Sequence, residues 1–233
     1  MDASAYAFVD GVRRTRATFE RWQDAPGSIL RQWLAGAFLA AGGLLIAVWV
    51  IGSLDHAPGL VELDRPPFRS GGPADTGRIL LHNGLVLALH AMACVAGFIA
   101  GSSLPLQASA QRSRALRAVH AHGGRLAILF VVAATAFSLS AQALVLGQAV
   151  GQVSFALHSS PALLLLALLP HAIPELMALF LPLAAWILAS RAGRWEELLA
   201  ATAVTVALAL PTLVIAALWE TYVAPHVLRA VVG

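Results

Sequence analysis

The 233-residue chain is too apolar for a soluble domain. Hydrophobic residues make up 59% of it and charged residues only 12%, with a mean hydropathy of +0.77, whereas soluble domains carry about 25% charged residues. The formal net charge of +3 is small and spread over several loops, which argues against a nucleic-acid partner. We therefore expect an all-α polytopic transmembrane helical bundle, with the lipid bilayer as its surroundings.

The N-terminal residues 1–28 have the pattern of an amphipathic helix. Phe8, Val12, Phe19 and Trp22 recur at helical spacing, and arginines occupy the other faces. Such a helix suits the anionic headgroup region of the cytoplasmic leaflet. It equally suits a surface formed by the protein's own loops, and the sequence leaves both alternatives open.

Apolar runs divide the rest of the chain into helices that are long enough to cross a bilayer. Full spans are predicted over about residues 30–51, 79–101, 125–147, 171–190 and 195–222. The run 153–169 is marginal for a crossing and ends at Pro170, so we predict a re-entrant or kinked half-helix there. The alternative is one long tilted helix, kinked at its prolines.

The predicted organisation has three parts: a cytoplasmic segment over residues 1–28, a single membrane domain over 29–228 and a short tail over 229–233. With the N-terminus inside, eleven arginines fall in cytoplasmic segments and four in outer ones, as the positive-inside rule requires. Five crossings then place the C-terminus outside. The single cysteine, Cys94, excludes an intramolecular disulfide.

Small residues at helical spacing predict close contacts between spans. They form one stripe on the first span and another on the second: Gly36, Ala40, Gly43 and Ala47, then Ala93, Gly97 and Gly101.

A histidine and a carboxylate stand one helical turn apart in an apolar run. His171 and Glu175 share a helix face because four residues separate them. Ionisable residues are costly to insert in a membrane span, so they mark a candidate functional site. If the fourth span begins at His171, both side chains lie in its outer first turn. Glu220, at the end of the last span, is then expected to lie near them.

The second span adds two polar candidates to this site. Asn83 and His90 are spaced by seven residues and share a face with Gly97. We expect His90 to be a packed, hydrogen-bonded histidine rather than a ligand.

Three interpretations of His171, Glu175 and Glu220 are open. In the first, His171 pairs with one of the glutamates and locks two helices together. In the second, the group is a metal or hydrolytic site, although it lacks the second histidine of an HExxH pattern. In the third, it handles protons or a substrate in a transporter. We favour the first, and so predict no catalytic residue, no bound metal and no cofactor.

Two C-terminal motifs resemble those of a known family. Residues 169–176, LPHAIPEL, are similar to the Pro-His-Gly-x-x-Glu-Leu motif of the stage II sporulation protein M family. Residues 217–225, ALWETYVAP, are similar to its closing Glu-x-x-x-x-Pro segment. His82-Asn83-Gly84 resembles the family's start to the second span. Ala172 departs from the motif, because the family usually has glycine there, and Gln142-Ala143 replaces an expected Asn-Gly pair.

The resemblance implies a five-span protein of the bacterial inner membrane. In spore formers, the namesake is the scaffold of a membrane complex whose partners degrade peptidoglycan during engulfment, and it is not the hydrolase. We therefore expect a non-catalytic scaffold or assembly subunit in cell-envelope remodelling, with a cell-wall hydrolase as its partner; a homo-oligomer is compatible with the sequence. The alternative is a small membrane transporter or permease subunit with an ionisable His/Glu site.

Overall fold

The computed structural model describes residues 3–54, 70–103 and 114–232. Over these residues it contains helices and turns and no strand, which confirms the predicted all-α class. The inner parts of two predicted polar loops, 55–69 and 104–113, lie outside the described residues. Side chains are described from Arg13 onward in the first helix and from Ile128 onward in the helix that follows the second of these loops.

Seven α-helices follow one another in the described part of the chain. We number them in chain order: α1 Ala3–Trp22, α2 Pro26–Leu54, α3 Pro73–Phe98, α4 Arg114–Ala156, α5 Pro161–Arg191, α6 Leu198–Tyr222 and α7 Ala224–Val232. A π-helical turn, Ile99–Ser103, extends α3, and a 3-10 turn, Trp195–Glu197, leads into α6. The short helix α7 was not predicted from the sequence.

Within the described residues, five helices are long and apolar enough to cross a membrane. These segments have 28 to 31 residues each, which corresponds to more than 40 Å of helix at about 1.5 Å per residue. Helices α2, α4 and α5 extend beyond their predicted spans at both ends, and α3 begins six residues earlier than predicted. The prediction of five spans is therefore confirmed.

The predicted half-helix over 153–169 is wrong. Helix α4 continues to Ala156, and α5 runs from Pro161 to Arg191, so that it includes Pro170 and Pro174. The start of α5 has a local cause: the Ser160 hydroxyl accepts the Leu163 N–H at 3.2 Å, and proline is favoured at the first helical position. Internal prolines are tolerated in spans because neighbouring groups satisfy the freed backbone atoms.

This correction moves the candidate site along its helix. His171 lies ten residues after the first residue of α5, and Glu175 lies fourteen residues after it. The prediction that both side chains occupy the first turn of the fourth span is therefore wrong. The alternative of one long helix is closer to the structure.

The chain forms two compact units, each assembled from parts of several helices. Unit 1 comprises Met1–Ala37, Leu87–Thr135 and Leu179–Ala209, and unit 2 comprises Phe38–Val86, Ala136–Ala178 and Leu210–Gly233.

Unit 1 packs around small residues of α3. A Cβ atom on Gly97 would lie 2.6 Å from Trp186 Nε1, and one on Gly101 would overlap the side chain of Trp195. Close contact at both predicted glycines is therefore confirmed, since neither position has room for a side chain. The stripe predicted on α2 holds only in part: Gly36 approaches Ala184, but Gly43, which belongs to unit 2, meets nothing within 4 Å.

In unit 2, glycines bring α2 and α4 together. A Cβ atom on Gly52 would lie 2.9 Å from the Gly147 carbonyl oxygen, and one on Gly147 would lie 2.6 Å from the Ile51 side chain. Apolar surface alone does not drive helix association in lipid, so this close approach is where van der Waals contact stabilises the pair.

The C-terminal end of α1 packs on the protein itself. Thr18 is fully buried, and the rings of Trp22 and Trp33 meet edge to face at 5.2 Å. Arg21 and Arg194 both pair with the buried carboxylate of Glu197, at 3.3 and 3.5 Å. Of the two alternatives for the amphipathic helix, these contacts favour packing on the protein's own turn for this part of α1.

The replacement of Glu197 by glutamine is expected to loosen α1. The change removes the charge that pairs with Arg21 and Arg194, and ion pairs of this kind contribute up to about 1 kcal/mol. We expect faster trypsin cleavage after Arg21 in detergent-solubilised protein. The matched control is Glu196→Gln, because Glu196 has no ion pair among the described residues. Equal cleavage rates for the two variants would contradict the role of Glu197.

Candidate functional site

Three ionisable side chains from two helices meet in unit 2. His171 and Glu175 lie one turn apart on α5, and Glu220 lies near the end of α6. One nitrogen or oxygen atom from each of the three lies within 4.8 Å of the other two. His171 is buried and both glutamates are half-buried. We call these three residues the His–Glu–Glu cluster.

Helix α3 supports the cluster through a buried amide. Asn83 is 6% exposed, and its Nδ2 donates a short hydrogen bond to Oε1 of Glu175. This bond connects α3 to α5 and leaves the second oxygen of the glutamate for other partners. Asn83 therefore orients Glu175 within the cluster.

A second polar link holds the end of α6 beside α3. The Thr76 hydroxyl donates to the Thr221 hydroxyl at 3.0 Å, and the Gly71 N–H donates to the Thr221 carbonyl oxygen at 3.1 Å. Thr221 directly follows Glu220, so these bonds fix the backbone that carries the third member of the cluster. Sequence analysis missed Thr76 and Thr221, because threonines are common in spans and no spacing relates these two.

His171 has no direct bond to the carboxylates beside it. Among the described residues, neither an ion pair nor a hydrogen bond joins His171 to Glu175 or Glu220, and its buried Nδ1 atom has no hydrogen-bond partner. The direct pairing that the first interpretation requires is therefore not formed. The bond that joins two helices at this site comes from Asn83 instead.

His90 belongs to another part of the protein. It lies in unit 1, where its Nδ1 is 2.9 Å from the Leu179 carbonyl oxygen and its ring packs against Phe180. This is the packed, hydrogen-bonded histidine that the sequence predicted. The structure therefore brings together His171, Glu175, Glu220 and Asn83, and it places His90 outside this group.

The arrangement suits a group that carries positive charge. Two ionised carboxylates within 4.8 Å of each other would repel each other by at least about 3.5 kcal/mol at an effective dielectric constant of about 20. A proton or a cation between them removes that repulsion. Because His171 adds a nitrogen to the two oxygens, the three residues form a donor set that could hold a metal ion.

Removal of the Asn83 amide is expected to destabilise the protein. In Asn83→Leu, the half-buried Glu175 loses its hydrogen-bond donor, which costs about 1.5–3 kcal/mol for a charged acceptor. We expect a lower Tm in detergent. Gln142→Leu is the matched control, because that amide donates only to Ser138 of its own helix, and its Tm should change little. An equal fall in both variants would contradict the role of Asn83.

Comparisons with known proteins agree with the resemblance seen in the motifs. The family model described as Stage II sporulation protein M matches residues 126–225, a stretch that contains the whole His–Glu–Glu cluster but not Asn83. No curated protein and no solved structure matches the chain. Together with five helices that can span a bilayer, the match shows that this is a multi-pass membrane protein. Over residues 126–225, the chain is similar to the stage II sporulation protein M family.

Proposed function

We propose that this protein is a non-catalytic scaffold or assembly subunit of a complex that remodels peptidoglycan, and that it resides in the bacterial inner membrane. The observation that carries the proposal is the exposure of the third span. Only 6% of its most apolar window is buried by the rest of the chain, against 22–33% in the other four spans. A helix covered so little by its own protein is available to helices of other proteins.

Polar residues on the exposed side of this span can form hydrogen bonds with a partner helix. Four exposed residues recur on α4 at intervals of three and four: Phe137, Ser140, Leu144 and Gln148. We call them the α4 face. An amide group that faces lipid lacks a partner there, whereas across a helix–helix contact amide and hydroxyl groups form hydrogen bonds. The α4 face therefore suits a transmembrane helix of a partner. The similarity to the stage II sporulation protein M family, whose namesake assembles with peptidoglycan-degrading enzymes, supports such an enzyme as that partner.

A photo-crosslinking experiment tests the proposal. A photoreactive amino acid is placed at Ser140 of the α4 face, or at Leu39, an exposed position on α2, in cells that express the full chain. We expect a peptidoglycan-degrading enzyme to be recovered from position 140 and not from position 39. Recovery of only lipid or a second copy of this chain from position 140 would contradict the scaffold proposal.

The proposed orientation follows from the distribution of arginines, with the N-terminus in the cytoplasm and the C-terminus outside. An alkaline phosphatase fused after Gly233 should then be active, because it folds only outside the cytoplasm, and a fluorescent protein fused there should be dark. The opposite pair of results would overturn the orientation.

A transporter is the second candidate, favoured by the presence of three ionisable side chains within spans. Transport requires a polar path that reaches the His–Glu–Glu cluster. The two cavities that we describe lie in unit 1, around Trp22 and Trp33, and neither is lined by His171, Glu175 or Glu220. These cavities give no support to transport, and so we place the scaffold first.

A further inference from the structure

We propose that the His–Glu–Glu cluster binds one divalent transition-metal ion of the zinc class, through a nitrogen of His171 and one oxygen each from Glu175 and Glu220. The scaffold role does not require this site. Its tests use metal content and spectra rather than partner recovery, so the failure of either proposal is recognised separately.

The first argument is geometric. Two donors come from successive turns of α5, and the third comes from α6, with all three donor atoms inside 4.8 Å of one another. Zinc holds nitrogen and oxygen ligands at about 2.0–2.2 Å, which separates tetrahedral ligands by about 3.5 Å. Side-chain rotations that draw the donors together by about 1 Å complete the coordination.

The second argument is the state of His171. Its side chain is 7% exposed, and its Nδ1 atom is buried without a hydrogen-bond partner. Buried polar atoms are nearly always paired, so an unpaired ring nitrogen on the histidine of this cluster needs an explanation. A metal ion bound at Nδ1 would supply the missing partner, because a neutral imidazole binds zinc through a ring nitrogen.

The third argument is charge. Among the described residues, no ion pair joins an arginine to Glu175 or Glu220. Two carboxylates are thus brought together without an ion pair to any described arginine. A divalent cation neutralises both, and a monovalent one does not.

The surroundings and the donor set select the class of metal. Asn83 donates to Glu175 in the way that outer residues orient the carboxylate ligands of metal sites. One nitrogen and two oxygens suit zinc and its neighbours, whereas calcium and magnesium prefer oxygen ligands alone. Three protein ligands leave one tetrahedral position for water or another donor.

Zinc counting tests the site directly. The full chain, purified in detergent with a tag that contains no histidine, is stripped with a chelator. It is then supplied with Zn²⁺ alone and freed of excess by gel filtration. We expect one zinc per chain in the wild type and in the control His226→Ala, whose histidine is exposed on α7. His171→Ala and Glu220→Gln should retain less than about a tenth of the zinc that the wild type retains. Asn83→Leu should bind zinc about tenfold more weakly than the wild type.

Two results would overturn the proposal: a folded wild type that retains no zinc, or a His171→Ala variant that retains as much as the wild type. If the cluster variants fail to fold, Co²⁺ added to the stripped wild type decides the question. Visible d–d bands without a thiolate charge-transfer band support the nitrogen and oxygen ligands. Absence of the d–d bands, or a thiolate band from Cys94, refutes the site.

Discussion

The hydrogen bond from Asn83 to Glu175 is the contact on which the candidate site depends. Each of these groups is costly to leave unpaired in apolar surroundings, at about 1–3 kcal/mol and more for a charge. Sliding or rotation of α3 against α5 would leave both unpaired at once. The bond therefore sets the register of the two helices, and with it the oxygen of Glu175 that remains available to His171 and Glu220.

In the rest of the packing, small residues allow close contact between helices and a few polar bonds set their register. Because lipid is as apolar as the helix surfaces, burial of leucine against leucine gives little preference for one arrangement. Small residues provide close contact, as at Gly97 in unit 1 and Gly147 in unit 2. A few polar bonds then choose the register, as Thr76 does with Thr221 in unit 2. At the N-terminal side, the buried Glu197 has this role in unit 1, where it pairs with Arg21 and Arg194.

A metal ion at the His–Glu–Glu cluster would be compatible with a scaffold. It would join α5 to α6 through three donors and would balance the two carboxylates, so its effect on the fold would resemble that of a structural cross-link. The least covered span, α4, contributes no member of the cluster. The proposed partner binding at the α4 face and the proposed ion binding at the cluster thus involve different residues, and each can be perturbed without replacement of a residue that serves the other.

Sequence alone determined the number of spans, because about 20 consecutive apolar residues are needed to cross a bilayer and five such runs stand out. It also predicted the packed state of His90 and the close contacts at Gly97 and Gly101. Helix ends were predicted less well. The sequence contains the Ser160–Pro161 start signal of α5, but Pro170 competes with it as a predicted helix start.

Only the tertiary structure decided which polar groups meet. Asn83 and Glu175 are 92 residues apart in sequence, and their contact depends on which helices are neighbours and on how each is rotated about its axis. Hydropathy carries no information about either. For the same reason, the sequence could place His171 and Glu220 near each other only by assuming adjacent helices, and it could not show that His171 would be left without a bond to either carboxylate.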